Sequence, residues 1–417
     1  MKKYYSLIDK IYNKTNISNS ARKVKAGGEA PGIDGVTPDE ISSDMLKEIH
    51  TELKTDSYKA KPVKRVEIKQ GKKTRKLGLP TVKDKIVQQA TRSVIEPIFD
   101  KDFHPSSYGY RPNQSCQKAI AKAEQFMVRY DLKYVLDMDL SKCFDTLDHE
   151  LIIEGINKKV SDGRVLKLIE EFLKSGVMKN KSFKPTEIGS PQGGVISPLI
   201  ANIYLDEFDQ AMKSKRIRMV RFADDILIFA KTKSQLMKFK QIAYKKLKEM
   251  KLTINKEKTK ITSLSKGVEF LGVTINRNYI GIEKKRIKRF KDKIRKLTKR
   301  NQSTPLETII LKVNQVTRGW INYYKVANCK GLILKLTNWL RRRLRSIKMA
   351  QWKSYKQLHK ALRREGLKGE LPKIAVNKWR NSNCFHAHKA LPNKYFKEKG
   401  LFDLTEVKVG ILSHYRK

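Results

Sequence analysis

Acidic residues are scarce in this chain: 42 Asp and Glu stand against 91 Lys and Arg, a formal net charge of +49. Charge this one-sided repels itself and destabilises a compact state unless a polyanion neutralises it, which points to nucleic acid or to an anionic membrane surface. Long apolar runs are lacking too. No stretch of 18 or more apolar residues occurs, so no membrane span is expected. The opening MKKYYSLIDKIYNKTN carries basic residues without a continuous apolar segment, unlike a secretory signal, and a cytoplasmic protein is expected. Cysteine is thin: Cys116, Cys143, Cys329 and Cys384 form no CxxC pair, which excludes zinc-finger and disulfide-framework readings. The close histidine pair, His386 and His388, sits in a basic tail without acidic or cysteine company and makes a poor metal site. Gly71-Lys72-Lys73-Thr74 fails as a Walker loop, because Val66 stands at the upstream glycine position and Lys73 where Ser or Thr must follow the lysine.

What is present divides into segments. A chain of 417 residues exceeds one compact core, so two or three domains are expected. Apolar residues from Asp84 to Phe99 fit one helix face, and KYVLDMD at 133–139 reads as a strand. Ser197-Pro198 reads as a helix start with Ser as N-cap, after which Ile200, Tyr204, Phe208 and Met212 line one face. A helix to about 250 and strands near 268–275 and 279–283 follow. Composition then shifts at about 283. In EKKRIKRFKDKIRKLTKR, Ile287, Phe290, Ile294 and Leu297 recur at intervals of three and four, leaving one apolar stripe on a strongly basic helix. LILKLTNWLRRRLRSIK repeats the style with Leu336, Leu340, Leu344 and Ile347. With so little compensating acid, Lys288, Arg289, Arg295, Arg341, Arg342 and Arg345 are candidate contacts to a phosphate backbone. The tail after about 360 adds Trp379, Phe385, Tyr395 and Phe396, a composition suited to backbone contact plus base stacking.

The chemistry centres on RMVRFADDILIF. Its flanks read as two strands joined by a tight turn that holds Asp224 and Asp225. Adjacent carboxylates repel and need protons, basic side chains or a metal to neutralise them. Phosphoryl transfer needs geometry and cations on developing charge more than covalent help. Mg²⁺ takes oxygen ligands from a few carboxylates plus substrate phosphates. Asp137 and Asp139 in YVLDMDL offer further carboxylates, and period two puts both on one face, so spacing alone does not choose between them. Between these strands, Gln192 precedes Gly193-Gly194, permissive backbone that can approach a ligand closely.

In this order, DMDLSKCFDTLDHE, GSPQGGVISPLIANIYLDEFD and RFADD resemble motifs A, B and C of reverse transcriptases, most closely those of bacterial group II intron-encoded reverse transcriptase/maturases. GGEAPGIDGVT, KPVKRVEIKQGKKTRKLGLPTVKDKIVQQA, SYGYRPNQSCQKAI, INKEKTKI and FLGV agree with the same family, and VNQVTRGWINYY with NWLRRRLR is similar to its maturase region. The resemblance implies an α+β right-hand polymerase with a helical thumb and a small basic C-terminal domain. Residues 1–80 would form an N-terminal extension and the start of the fingers, 81–283 the fingers and palm, 284–360 the thumb, and 361–417 a DNA-binding-like tail. It implies RNA-directed DNA synthesis with two Mg²⁺ ions, Mn²⁺ serving as a substitute. The partners implied are an RNA template with a DNA or RNA primer, dNTPs, group II intron RNA and target DNA, with no membrane.

Residue by residue, the resemblance selects Asp139 over Asp137 to join Asp224 and Asp225 as catalytic metal ligands, with the Leu140 carbonyl added. It puts Arg75, Lys85, Phe144, Gln192 and Gly193 around the incoming nucleotide, Phe144 as a gate against a 2′-OH. Phe270, Leu271 and Gly272 match a primer grip, and Lys258 is a candidate acid toward pyrophosphate. Two departures stand out: Cys143 where a second Phe is frequent, and Phe222 where motif C usually has Tyr. Many relatives end in an H-N-H endonuclease with Cys pairs. No such segment follows here, so a form that does not cut the second DNA strand is expected. The rival readings are a free-standing relative serving defence or repair and a non-catalytic RNA-binding splicing factor.

Overall fold

Alternating apolar and charged residues set the first strands, which stay largely exposed, while capped amphipathic helices form the core beside them. The computed structural model describes residues 3–28, 30–70, 73–179, 182–190 and 193–416, in two compact units, Met1–Ser263 and Leu264–Lys417. The helices of the first unit are α1 (Ile8–Tyr12), α2 (Lys14–Ala26), α3 (Ser43–Lys54), α4 (Val82–Asp100), α5 (Cys116–Glu124), α6 (His149–Asn157), α7 (Gly163–Lys174), α8 (Ser197–Ser214) and α9 (Lys233–Glu249). Its strands are β1 (Val63–Gln70), β2 (Lys73–Leu79), β3 (Tyr134–Asp139), β4 (Val177–Lys179), β5 (Ser182–Lys184), β6 (Arg218–Phe222), β7 (Asp225–Ala230) and β8 (Lys260–Ser263). They form two four-stranded sheets, ordered β2-β1-β4-β5 and β6-β7-β3-β8. The fold is therefore mixed α and β, as the sequence predicts.

Helix α4 spans the segment where the apolar periodicity predicts a helix. The Thr81 hydroxyl caps it by accepting from the Asp84 amide, while Asp84 accepts from the Thr81 and Tyr58 hydroxyls. Ile86, Val87, Ala90 and Ile95 are fully buried on its inner face. Helix α8 is largely buried, with Ile200, Tyr204, Phe208 and Met212 all in the core, while Glu207, Lys213 and Ser214 stay exposed. One expectation fails there. Ser197 is the first helical residue rather than the N-cap; Ile196 holds the cap position, and the Ser197 hydroxyl is buried 2.8 Å from that of Ser190. Pro198 does fall in the first turn.

The second unit opens with β9 (Val268–Phe270), β10 (Val273–Ile275) and β11 (Ile280–Ile282), an antiparallel meander. The division at Leu264 thus groups these strands with the basic helices, ahead of the composition shift at about 283. Helices α10 (Lys284–Leu297), α11 (Leu306–Tyr324), α12 (Lys330–Gln351), α13 (Tyr355–Arg364), α14 (Phe385–Ala390) and α15 (Asn393–Glu398) complete it. Phe290 and Ile294 of the predicted stripe on α10, and Leu336, Leu340, Leu344 and Ile347 on α12, enter one core. Val376, Ala387, Phe396 and Leu401 belong to that same core, so the segment after 360 packs with the thumb-like helices instead of standing apart. Among the described residues no helix is long and apolar enough to cross a membrane.

Candidate active site

Strand β3 carries the acidic pair into the middle of its sheet. Val135, Leu136 and Met138 are fully buried, while Asp137 and Asp139 share the more open face. Antiparallel pairing sets Asp139 directly across from Asp225 at the start of β7, whereas Asp137 faces Leu227 on one side and Lys260 on the other. The register therefore separates two carboxylates that spacing could not. Lys260 Nζ lies 3.7 Å from Asp137 Oδ2.

Asp224 and Asp225 sit where the sequence puts them, at the β6–β7 turn, with Phe222 paired to Asp225. The carboxylate of Asp225 is open to water from one side but crowded from the others. Burial, followed by the charges of Asp224, Asp137 and Asp139, pushes its pKa up to about 6, with Lys258 opposing. Lys258, from the INKEKTKI stretch, donates to Asp139 Oδ2 at 2.5 Å. The same stretch approaches the strand end again, where the Asn255 amide donates to the Asp139 carbonyl at 2.9 Å.

A carboxylate such as Asp225, crowded by acidic neighbours, suits a hard divalent cation, since oxygen donors and excess negative charge are what such an ion needs. In this conformation no three His, Cys, Asp or Glu side chains among the described residues converge on a common ligating point, and Asp139 is engaged by Lys258. Asp139 and Asp225 face each other across the ladder with Asp224 on the adjoining turn, so oxygen donors suited to such an ion lie on neighbouring backbone positions. Leu140, the expected carbonyl ligand, is buried and bridges to Ile254.

The turn is held by a network the sequence reading missed. Arg221 is fully buried, and its guanidinium donates to both oxygens of Asp209 at 2.6–2.9 Å, to Asn202 Oδ1 at 2.9 Å and to the Ala223 carbonyl at 3.1 Å. Asp209 and Asn202 are buried on α8, and Asn202 Nδ2 donates to the Gly109 carbonyl at 2.8 Å. Ala223 takes a left-handed φ of 58°, uncommon for a residue with a Cβ. Gly109 runs so close that a Cβ there would lie 2.2 Å from the Ala223 amide nitrogen. Part of the signal was available: Arg221 stands among Met219, Val220 and Phe222 in its strand, and a guanidinium buried there requires a partner.

Phe144 follows β3 in a single 3-10 turn, half-buried, with its ring edge-on to Tyr110 at 6.3 Å. Beneath it, the departing Cys143 is buried at 3 % exposure, and burial together with Asp224 pushes its thiol up to about 12, so it stays protonated and inert. Gly193 has a φ of +119°, and a Cβ would lie 2.3 Å from the Gly78 carbonyl, so the glycine turn presses against β2. Arg75 pairs with Ile68 in the β1–β2 hairpin, but its side chain, like all of Gln192, lies outside the described residues. Lys85 is partly buried and donates to the Ala30 carbonyl at 2.6 Å; burial lowers its pKa.

In the second unit Phe270 is buried, and Leu271 and Gly272 form a two-residue turn with φ of 47° and 83°. The Tyr323 hydroxyl donates to the Leu271 carbonyl at 2.7 Å. Lys288 and Arg289 are exposed on α10, and Arg295 is bonded to Asp292 at 2.6 Å. Arg341 is paired with Asp403 at 2.6 Å and Arg342 lies over the Trp379 ring. Arg345 corrects the sequence reading: it is 1 % exposed, donates to the Leu391 carbonyl at 3.1 Å and faces the Phe396 ring, so no phosphate backbone reaches it.

Known proteins resemble this chain over stretches of both units. The reverse transcriptase (RNA-dependent DNA polymerase) family matches residues 68–275, and the maturase-specific domain of group II introns matches residues 287–366. Protein YkfC of Escherichia coli strain K12 is 32 % identical over 288 residues, 59 % of this chain and 76 % of YkfC. The group II intron-encoded protein LtrA of Lactococcus lactis subsp. cremoris is 37 % identical over 197 residues, 47 % of this chain and 33 % of LtrA. A putative COX1/OXI3 intron 2 protein of Saccharomyces cerevisiae is 35 % identical over 195 residues, 46 % of this chain and 23 % of that protein. The matched region therefore spans only about a third or less of the two intron proteins.

Proposed function

This chain belongs to the reverse transcriptase family, in the branch that carries the group II intron maturase-specific domain, and from that premise we propose that it copies RNA into DNA and binds intron RNA to assist splicing and mobility. The observation that carries the reading is the register setting Asp139 across from Asp225, with Asp224 on the adjoining turn. In the proposed reaction a primer 3′-OH attacks the α-phosphate of a dNTP in line and pyrophosphate leaves. Asp139, Asp224 and Asp225, with the Leu140 carbonyl, would hold divalent cations. Divalent-metal dependence comes with the family; two Mg²⁺ ions, replaceable by Mn²⁺, are the finer proposal. When bound, such ions neutralise charge on the attacking and leaving oxygens.

The remaining work falls to the protein. Phe144 would lie under the sugar and leave no room for a 2′-OH, Gly193 would let backbone approach the nucleotide, and Arg75, Lys85 and Gln192 would contact it. The Phe270–Gly272 turn would support the primer strand. RNA template with primer, intron RNA and target DNA are the proposed partners, supported by the maturase-specific domain and the net charge of +49.

Primer extension on an RNA template tests the reading. Extension with dNTPs and Mg²⁺, abolished by a chelator and restored by added metal, is the expected result. Tight RNA binding without any extension would favour the non-catalytic splicing factor instead. In the same assay Phe144→Ala is expected to raise ribonucleotide incorporation roughly tenfold to a hundredfold, the range over which a shaped pocket rejects an added hydroxyl. Unchanged sugar selection would remove Phe144 from the gate.

A further inference from the structure

A cavity lies wholly within the unit 264–417, built by the chain just after α10, by α12 and by the turn at Trp379. Its volume is about 360 Å³, and Thr298, Lys299, Arg300, Asn301, Arg343, Ser346 and Trp379 line it. Three cations line it and no carboxylate does, so its ligand is anionic. The size is at the lower end for a small-molecule site.

The walls are fixed. Arg343 donates through Nε to the Thr298 hydroxyl at 2.6 Å and through a terminal nitrogen to the Thr298 carbonyl at 2.7 Å. Its guanidinium lies between two indoles, 5.5 Å from the Trp339 centroid and 5.8 Å from that of Trp379. Lys291 and Arg295 approach Trp339 at 5.8 Å, and Arg342 lies 4.4 Å over Trp379. Cations and rings thus alternate in a ladder, each holding the next. Trp379 nonetheless remains 37 % exposed. Two groups lining the cavity lack protein partners among the described residues: the Ser346 hydroxyl, on a residue only 2 % exposed, and the Arg300 Nε–H. Both atoms are closed off from solvent, so they belong to the packed wall behind the cavity, and the accessible cation and ring are those of its lining.

We propose that this cavity captures one unpaired nucleotide of a single-stranded nucleic acid, its phosphate against Lys299, Arg300 and Arg343 and its base stacked on Trp379. An aromatic floor inside a recess serves only a base that has left its own stack, so a regular duplex cannot use it. The assignment rests on the nucleic-acid-binding part of the proposed function and is independent of the polymerase chemistry.

The test uses the full chain and fluorescence anisotropy with three labelled probes: a short oligouridylate, the matching oligodeoxynucleotide, and a blunt hairpin without unpaired nucleotides. Trp379→Leu is expected to weaken single-strand binding about tenfold or more, the range seen when one stacking ring is lost, and to change hairpin binding less than about twofold. Trp379→Phe keeps a stacking face and should retain most of the affinity, which separates stacking from misfolding. Lys299→Gln should weaken single-strand binding and lower its salt slope by about one. Photocrosslinking with 5-iodouridine should label Trp379. Equal losses on hairpin and single strand, or no crosslink at Trp379, would overturn the site. A preference between the two single strands identifies which of them fills it. Should wild-type protein bind all probes yet never extend a primer, the polymerase reading falls while the pocket stands.

Discussion

Asp224→Ala is expected to reduce primer extension by at least a hundredfold to a thousandfold, about what removing one preorganised charge-stabilising group costs an active site, while RNA binding stays within about twofold. The two outcomes separate because Asp224 belongs to a turn and not to the core. Its nearest structural consequence is electrostatic: its charge helps hold Asp225 at a pKa of about 6, so removing it lets the Asp225 pKa fall. Fold stability should therefore hold or rise slightly. The carboxylate set, however, is left with Asp139, engaged by Lys258, and Asp225 alone. RNA affinity comes from the excess of lysine and arginine spread over the chain, which the substitution does not touch. Extension at the wild-type rate by Asp224→Ala would sink the assignment of the site. A variant that loses extension but still promotes splicing would show that the two activities are carried by different parts of the chain.

The second large effect is expected at the Arg221–Asp209 pair. Both side chains are fully buried, so Asp209→Ala strands a guanidinium in the core. Breaking such a pair costs about 3–5 kcal/mol, which for a unit of this size lowers Tm by about 10 °C. The double replacement Asp209→Leu with Arg221→Met should recover most of that stability, since well-packed apolar pairs often replace buried ion pairs without loss. Extension should not recover with it. Arg221 also donates to the Ala223 carbonyl, and without that bond the left-handed Ala223 loses its tether and the neighbouring carboxylates their placement. Misplacement of about 1 Å can cost roughly a hundredfold in rate. Thermal melts paired with single-turnover extension decide the matter: a stable double variant with normal kcat would confine Arg221 to a stability role.

How much of this was readable from sequence depends on how far away each residue's partner lies. The hairpin at Asp224, strand β3 and helix α4 follow from local periodicity and turn chemistry, and the structure has them where the pattern predicts. Asp137 and Asp139 share a face by period alone; only the pairing of β3 with β7, a contact distant in sequence, distinguishes them. Ser197 looked like a cap because Ser-Pro commonly starts helices, yet the Ser190 hydroxyl, set beside it by the loop, takes its side chain inside. Arg345 follows Leu344 on a helix whose local charge suggests a solvated face. Its burial depends on Leu391 and Phe396, which arrive some fifty residues later in sequence. Arg221 and Asp209 are the same kind of case: each is explained by the other, and neither alone predicts which residue will answer it.

The maturase-specific match ends at residue 366, but Val376, Phe396 and Leu401 fill the same interior as Leu336 and Leu340. Recombination that exchanged only the matched segment between relatives would bring together half-cores shaped by different histories. The whole unit Leu264–Lys417 is therefore the piece whose interior stays matched when inherited intact, and substitutions in the tail and in the helices before it should be accepted in compensating pairs.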